Sequence, residues 1–277
     1  MRYAFNSGIF GCIHGWVNSY HLDEAMRRIA AIGYDGIEVL CAAPHAWPDY
    51  LSDEDKQGII ALKKELKLEI HSLMPLRDGY AGHNLATDFR EEREWSLGYI
   101  KKVIDLAEIW GANNISYCPG WQSPTATKRE AWKYALQSLM EVGRYAAAKG
   151  ISVCINPPVP LSEVVDTPQD ALLLMEESGL ANVKVMFDME SCFNYMLDPA
   201  DIVYLCGKKL GHILLCDRGR AAIGKGGYDF YPLLRALKDI DYAGYATVDT
   251  GRGRAAMPTS IARLSFLHLR DVENALK

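Results

Sequence analysis

The sequence has no excess of basic residues, no CxxC cysteine pair and no apolar run long enough to cross a membrane, and each shortage removes a class of function. Lys and Arg total 30 against 35 Asp and Glu, for a net charge of −5. That balance lacks the cationic surface needed to neutralise a phosphate backbone, so neither nucleic acid nor an anionic membrane is an expected partner. Seven cysteines, an odd number, do not suggest a disulfide framework. Reduced intracellular thiols fit them better. No stretch approaches the roughly 20 apolar residues of a membrane helix. The first residues, Met1-Arg2-Tyr3-Ala4-Phe5-Asn6, have no apolar signal core, so the expected location is cytoplasmic.

Linkers, low-complexity tracts and changes of composition are also missing. With 49% hydrophobic and 23% charged residues, the chain reads as a globular protein. Its 277 residues suit one (β/α)₈ barrel, a fold of about 250 residues, so one domain over residues 1–277 is expected.

One strand-helix unit keeps returning. Tyr3 to Phe10 reads as a first strand, and Leu22 to Ile32 as a helix with Leu22, Ala25, Met26, Ile29 and Ala30 on one face, closed by Gly33. Strands follow at Gly36 to Leu40, Leu68 to Met74, Asn114 to Cys118, Ile151 to Asn156, Val183 to Asp188, Leu210 to Cys216 and Tyr245 to Asp249. Helices follow Ser52, a good N-cap, and run over Phe89 to Trp110, Arg129 to Lys149 (stopped by Gly150), Pro168 to Ser178, Pro199 to Cys206, Asp229 to Lys238 and Pro258 to Ala275. Such alternation with short connections predicts a closed parallel barrel, because an open sheet would need both edges covered.

In such folds the chemistry sits at the carboxyl ends of the strands. Asp188 ends an apolar strand, either as a site carboxylate or as the cap of the next turn. Side chains alternate along a strand, so Glu38, His71, Cys118, Asn156, Asp188, Leu214 or Cys216, and Asp249 are expected near the mouth. Asp188 and Asp249 can meet across it, to hold a hard divalent ion or to share a proton; alternatively Asp249 pairs with Arg252 or Arg254. His71 is a possible base or zinc ligand, or a hydrogen-bonded structural residue. His14 and Trp16, like His45 and Trp47, are lid residues or ordinary loop packing. Cys118, Cys154 and Cys216 read as apolar fillers. Arg218 and Arg220 precede Gly224-Lys225-Gly226-Gly227, a loop able to take phosphate or a sugar hydroxyl but matching no complete P-loop.

Ile32-Gly33-Tyr34-Asp35-Gly36-Ile37-Glu38, Pro44-His45-Ala46, the Asp188 strand, Leu210-Gly211-His212-Ile213, the segment from Asp217 to Gly226 and Tyr242-Ala243-Gly244-Tyr245 occur in order along the chain. Together they resemble the xylose isomerase-like sugar isomerases and epimerases, most of all the fructoselysine 3-epimerase and ketose 3-epimerase branch. The resemblance implies a TIM barrel, a sugar substrate and a divalent metal (Mn, Mg or Zn). It also implies metal ligands: a glutamate after strand five, an aspartate after strand six, a histidine on strand seven and a glutamate on strand eight. At those positions this sequence has Asn156, Asp188, Leu214 and Asp249. The family's histidine after strand six falls on Ser191, a pocket glutamate falls near Ser162 with Glu163 adjacent, and Arg220 matches a substrate arginine. Asp188, Asp249 and Asn156 are thus the expected, weakened metal set.

Asparagine lends an oxygen to a metal but does not take a proton near neutral pH, and leucine donates nothing. Three functions follow. The first is proton transfer beside a sugar carbonyl, with Asp249, Glu38 or His71 as base and with Arg220, His14, Trp16, Asn156 and Glu163 binding substrate. The second is a lyase in the same pocket, with His71 or His14 as base. The third is a noncatalytic sugar-binding protein or subunit of a complex, and a homo-oligomer is also expected from the resemblance.

Overall fold

Eight parallel strands close on one another in sequence order, β1 pairing with both β2 and β8, in the computed structural model, which describes residues 1–11, 20–76, 84–157, 162–251 and 257–277. The strands are β1 Arg2–Asn6, β2 Gly36–Cys41, β3 Glu69–Pro75, β4 Asn114–Tyr117, β5 Ser152–Ile155, β6 Val183–Asp188, β7 Leu210–Leu215 and β8 Tyr245–Val248. The helices are α1 Gly8–Gly11, α2 Leu22–Ile32, α3 Asp53–Leu66, α4 Arg90–Trp110, α5 Lys128–Ala147, α6 Pro168–Ser178, α7 Met189–Asn194, α8 Pro199–Cys206, α9 Phe230–Asp239 and α10 Pro258–Ala275. This is the expected (β/α)₈ barrel.

Local chemistry explains where these elements start and stop. Ser52, Thr127 and Thr167 each cap a helix, their side chains accepting from the backbone N–H three residues on, while Asp55, Glu130 and Asp170 reach back to the cap N–H. Gly33, at φ +108°, ends α2 in the left-handed region, where a side chain would be strained. Two boundaries differ from the sequence expectation by more than one residue. β1 stops at Asn6, not Phe10, because Asn6 Oδ1 accepts from the Gly8 N–H at 2.7 Å and turns the chain into α1. Helix α5 ends at Ala147, before Gly150 is reached.

The core has two parts. A large cluster including Phe5, Ile37, Val39, Trp110, Phe187 and Phe230 fills the space between sheet and helices. A small one, Leu40, Ala42, Met74, Cys154, Met186 and Leu214, is separate from it. Alternation puts Leu40 one step beyond Glu38, Leu214 one step beyond His212, and Met186 and Cys154 one step before Asp188 and Asn156. The small cluster is therefore an apolar layer inside the barrel, with a polar layer below it and the mouth above. Among the described residues no helix is long and apolar enough to cross a membrane.

Candidate active site at the barrel mouth

Asp188 ends β6 fully buried, and its Oδ1 accepts the Glu190 N–H at 3.0 Å, so it caps α7. The other oxygen, Oδ2, takes a very short hydrogen bond from Nη2 of Arg220. The same guanidinium donates from Nη1 to Asp249 Oδ2 at 3.2 Å, just beyond β8. Asp188 thus caps a helix, one of its two expected readings, and at the same time faces a cation. The nearby negative charge of Asp188, reinforced by Asp249 against the cost of burial, pushes the Arg220 pKa above its ordinary value, so the side chain is a permanent cation.

Arg220 is held from several sides. Its backbone is left-handed, φ +53°, a conformation that costs a non-glycine residue on the order of 1 kcal/mol. Its N–H donates to Glu190 Oε2 at 3.2 Å and its carbonyl accepts from the Gly251 N–H at 2.6 Å. A Cβ on Gly251 would stand 2.8 Å from that of Arg220, so only glycine lets the two segments approach this closely.

Just after β5, β6 and β8 come polar atoms without partners. Both side-chain atoms of Asn156, the Ser191 hydroxyl and the Thr250 hydroxyl are buried and make no hydrogen bond among the described residues. An unsatisfied buried polar group costs about 1–3 kcal/mol, so several near one strand-end carboxylate site point to a polar ligand that satisfies them. Asp188 is sealed, while the Asp249 side chain keeps 15% of its exposure and that of Arg220 28%.

The glycine-rich loop turns its first two amides inward, that of Lys225 to the Ala222 carbonyl and that of Gly224 to Asp217. Asp217, fully buried, accepts from the N–H groups of Arg218 (2.8 Å), Gly224 (3.0 Å) and Tyr228 (3.0 Å). The Gly224 amide of the loop considered for a phosphate or sugar hydroxyl is therefore taken by the protein's own carboxylate, which shapes the segment that carries Arg220. Arg218 points elsewhere, over the Phe193 ring at 4.9 Å.

Glu38 and His71 lie in the polar layer below the apolar one, not at the mouth. Glu38 accepts from Asn6 (2.7 Å), Ser72 (3.0 Å), Ser116 (2.9 Å) and His212 (3.1 Å). Burial alone would raise its pKa. The attraction and hydrogen bond of His212, with His71 and Asn6 adding to them, more than reverse this and hold it at about 2. His71 stacks on Tyr245, ring centroids 4.4 Å apart, and its Nε2 meets the Thr247 hydroxyl at 2.9 Å. Burial, then neighbouring His212, depresses its pKa well below the ordinary value, so it is neutral at pH 7.

The remaining expectations are distributed. Glu163 is exposed, at φ +55°, and Ser162 bonds the Gly120 carbonyl. His45 is buried between the Ser7 hydroxyl (2.9 Å) and the Tyr20 carbonyl (3.1 Å), and Trp47 stacks on Tyr99. Cys154 belongs to the interior apolar layer, and Cys216 is buried with its Sγ 4.0 Å from Asp188. His14, Trp16, Arg252 and Arg254 lie outside the described residues. Glu190, Thr250, Asp217 and His212 were not singled out from sequence. His212 was within reach of the alternation rule, two residues before Leu214, and Thr250 directly follows Asp249.

Residues 26–272 match the family model for the xylose isomerase-like TIM barrel. The chain belongs to that family. This xylose isomerase-like barrel is similar to the fructoselysine 3-epimerase of Shigella flexneri, 28% identical over 252 residues, covering 88% of this chain and 89% of that one. It is also 25% identical to the D-psicose 3-epimerase of Enterocloster bolteae, over 90% of this chain and 85% of the relative. Among solved structures it superposes on the 3-keto-D-glucoside 4-epimerase of E. coli, with a TM-score of 0.82 and 22% identity over 98% and 99% of the two chains. The D-psicose 3-epimerase of Clostridium cellulolyticum solved with D-tagatose gives 0.84 at 18% identity, over 100% of both chains.

The divalent metal implied by this family is not matched by the donors present. Leu214, buried and paired in register with Asp188, offers no ligand, and Asn156 offers only a neutral amide. Asp188 and Asp249 already share a guanidinium. Among the described residues no three His, Cys, Asp or Glu side chains converge as a metal site, those of His71, Cys118 and Cys216 included.

Proposed function

We propose that this barrel binds a ketose or ketose derivative at the Asp188–Arg220–Asp249 mouth and transfers a proton at the carbon beside its carbonyl. The observation that carries the reading is a fixed cation between two strand-end carboxylates, with the polar side-chain atoms of Asn156, Ser191 and Thr250, unpartnered among the described residues, just after β5, β6 and β8. Hydroxyls of a polyol can satisfy all of these at once, acting as donors and acceptors in turn. The names of the relatives, all epimerases of sugars, support the same substrate class.

Asp249 is the base of this proposal, since it is the partly exposed carboxylate of the pair. It takes the C–H proton, the electron pair moves into the C–C bond, and the carbonyl oxygen becomes an enediolate oxygen beside the Arg220 guanidinium. The proton then returns from Asp249 on the same face to the former carbonyl carbon, while the proton of the neighbouring hydroxyl passes to the former carbonyl oxygen, so that the carbonyl now stands on the neighbouring carbon. Asn156 cannot serve as an opposing base, so transfer on one face, which interconverts neighbouring carbonyl positions, suits these residues better than inversion by two bases. In deuterium oxide, a panel of ketoses should take up deuterium beside the carbonyl, read by NMR. Asp249→Asn should slow uptake by about 10²–10⁴-fold. Saturable sugar binding without any exchange would favour the second reading, a noncatalytic sugar-binding subunit; the engagement of both carboxylates by Arg220 favours that reading. Neither binding nor exchange across the panel would remove the proposal.

A further inference from the structure

We propose that the Arg220 guanidinium is the resident cation of this site and excludes a divalent ion from the Asp188–Asp249 pair. Two carboxylates converging from β6 and from just beyond β8 repel one another unless a positive charge lies between them. Here that charge is covalently part of the chain. Nη2 meets Asp188 and Nη1 meets Asp249, so a metal ion on these oxygens would have to break two charged hydrogen bonds. The arginine is not a passing surface side chain. Its left-handed backbone is pinned by Glu190 on the amide side and by Gly251 on the carbonyl side, and glycine at 251 leaves room for that close approach. The positions that match the other two metal ligands implied by the resemblance, Leu214 and Asn156, carry no negative charge that could draw a metal in competition.

The substitution has a consequence for the ligand. A guanidinium carries five N–H donors in a planar fork. Those not directed at Asp188 and Asp249 remain for a ligand, and part of the side chain is exposed. A planar fork takes two adjacent oxygens side by side, which is the pattern of an α-hydroxy ketone. The site would then polarise a sugar carbonyl without any metal. This second half rests on the proposed sugar function; the exclusion of metal stands without it.

Titration with Mn²⁺ alone, followed by calorimetry and by metal-dependent thermal shift, tests the exclusion. The wild type should show no saturable uptake up to about 1 mM, the weak end of hard-cation sites. Arg220→Gln should gain Mn²⁺ binding at least tenfold tighter than wild type, and adding Asp188→Asn should abolish the gain. Arg220→Lys, which keeps a charge, should continue to exclude the ion, and provides a second variant should the glutamine one not fold. Stoichiometric Mn²⁺ on wild type, lost in Asp188→Asn, would overturn the inference while leaving the sugar reading intact; so would a folded Arg220→Gln that gains nothing. Chelator-treated wild type that still exchanges deuterium into a ketose would support both halves. An absence of sugar binding together with metal exclusion would remove the sugar function alone.

Discussion

Glu38 shows how a single side chain can make the barrel sensitive to acid. Its folded pKa of about 2 lies below the ordinary 4.5. Below about pH 4.5 the unfolded chain takes up a proton that the folded chain still refuses. Stability from this group is therefore complete above that pH and is lost as pH falls towards 2. At about 1.4 kcal/mol per unit, the contribution is on the order of 3 kcal/mol. Glu38→Gln should lower stability at pH 7 by roughly 2–4 kcal/mol, because four buried donors, those of Asn6, Ser72, Ser116 and His212, lose a charged acceptor. The variant should also lose part of the slope between pH 5 and 3. Urea unfolding at pH 7, 5 and 3 checks this, and parallel pH dependences for the two proteins would refute it. Glu38 here acts through folding, and its depth beneath Leu40 and Leu214 separates it from a ligand at the mouth.

At the scale of an element, the segment between β7 and α9 is organised by one carboxylate. Asp217 gathers three backbone N–H groups from Arg218, Gly224 and Tyr228 and so sets the path on which Arg220 stands. Gly226 passes so close that a Cβ there would sit 2.6 Å from Asp217 Oδ1. Asp217→Ala leaves three donors without their acceptor, and hydrogen bonds to charged groups contribute about 1.5–3 kcal/mol. The expected loss is roughly 2–4 kcal/mol of stability, together with weaker binding of any ketose that the wild type takes. Asp217→Asn, which keeps one acceptor oxygen, should recover part of both. Thermal unfolding and sugar titration measure these, and an Asp217→Ala protein with unchanged binding would show that Arg220 does not depend on this loop.

At the scale of the whole molecule, the barrel was legible because its signals are local: cap residues such as Ser52, apolar helix faces, and strands ending in polar residues. Asp188, Asp249 and Arg220 were legible as strand-end groups for the same reason. Depth was not. The register of β2 and β3 slips between Ile37 and Glu38, which pairs Glu38 with Ser72 and leaves His71 as the extra residue, so both His71 and Ser72 reach the interior. No alternation rule predicts that. Closure is equally non-local. Tyr34, just before β2, donates to the Ala262 carbonyl of α10 at 2.8 Å and packs its ring at a tilt against Phe266, centroids 4.8 Å apart, while Ser265 accepts from the Ile223 N–H at 3.1 Å. Contacts spanning more than 200 positions hold the first unit to the last, so the ring should unfold as one cooperative body. Phe266→Ala, at a half-buried site, should cost about 2 kcal/mol, less than a full core truncation. Its urea transition should move to lower concentration as a single step, with far-UV dichroism and tryptophan fluorescence coinciding. A loss of tryptophan fluorescence that did not coincide with the loss of helix content would instead mean that the ring opens in stages.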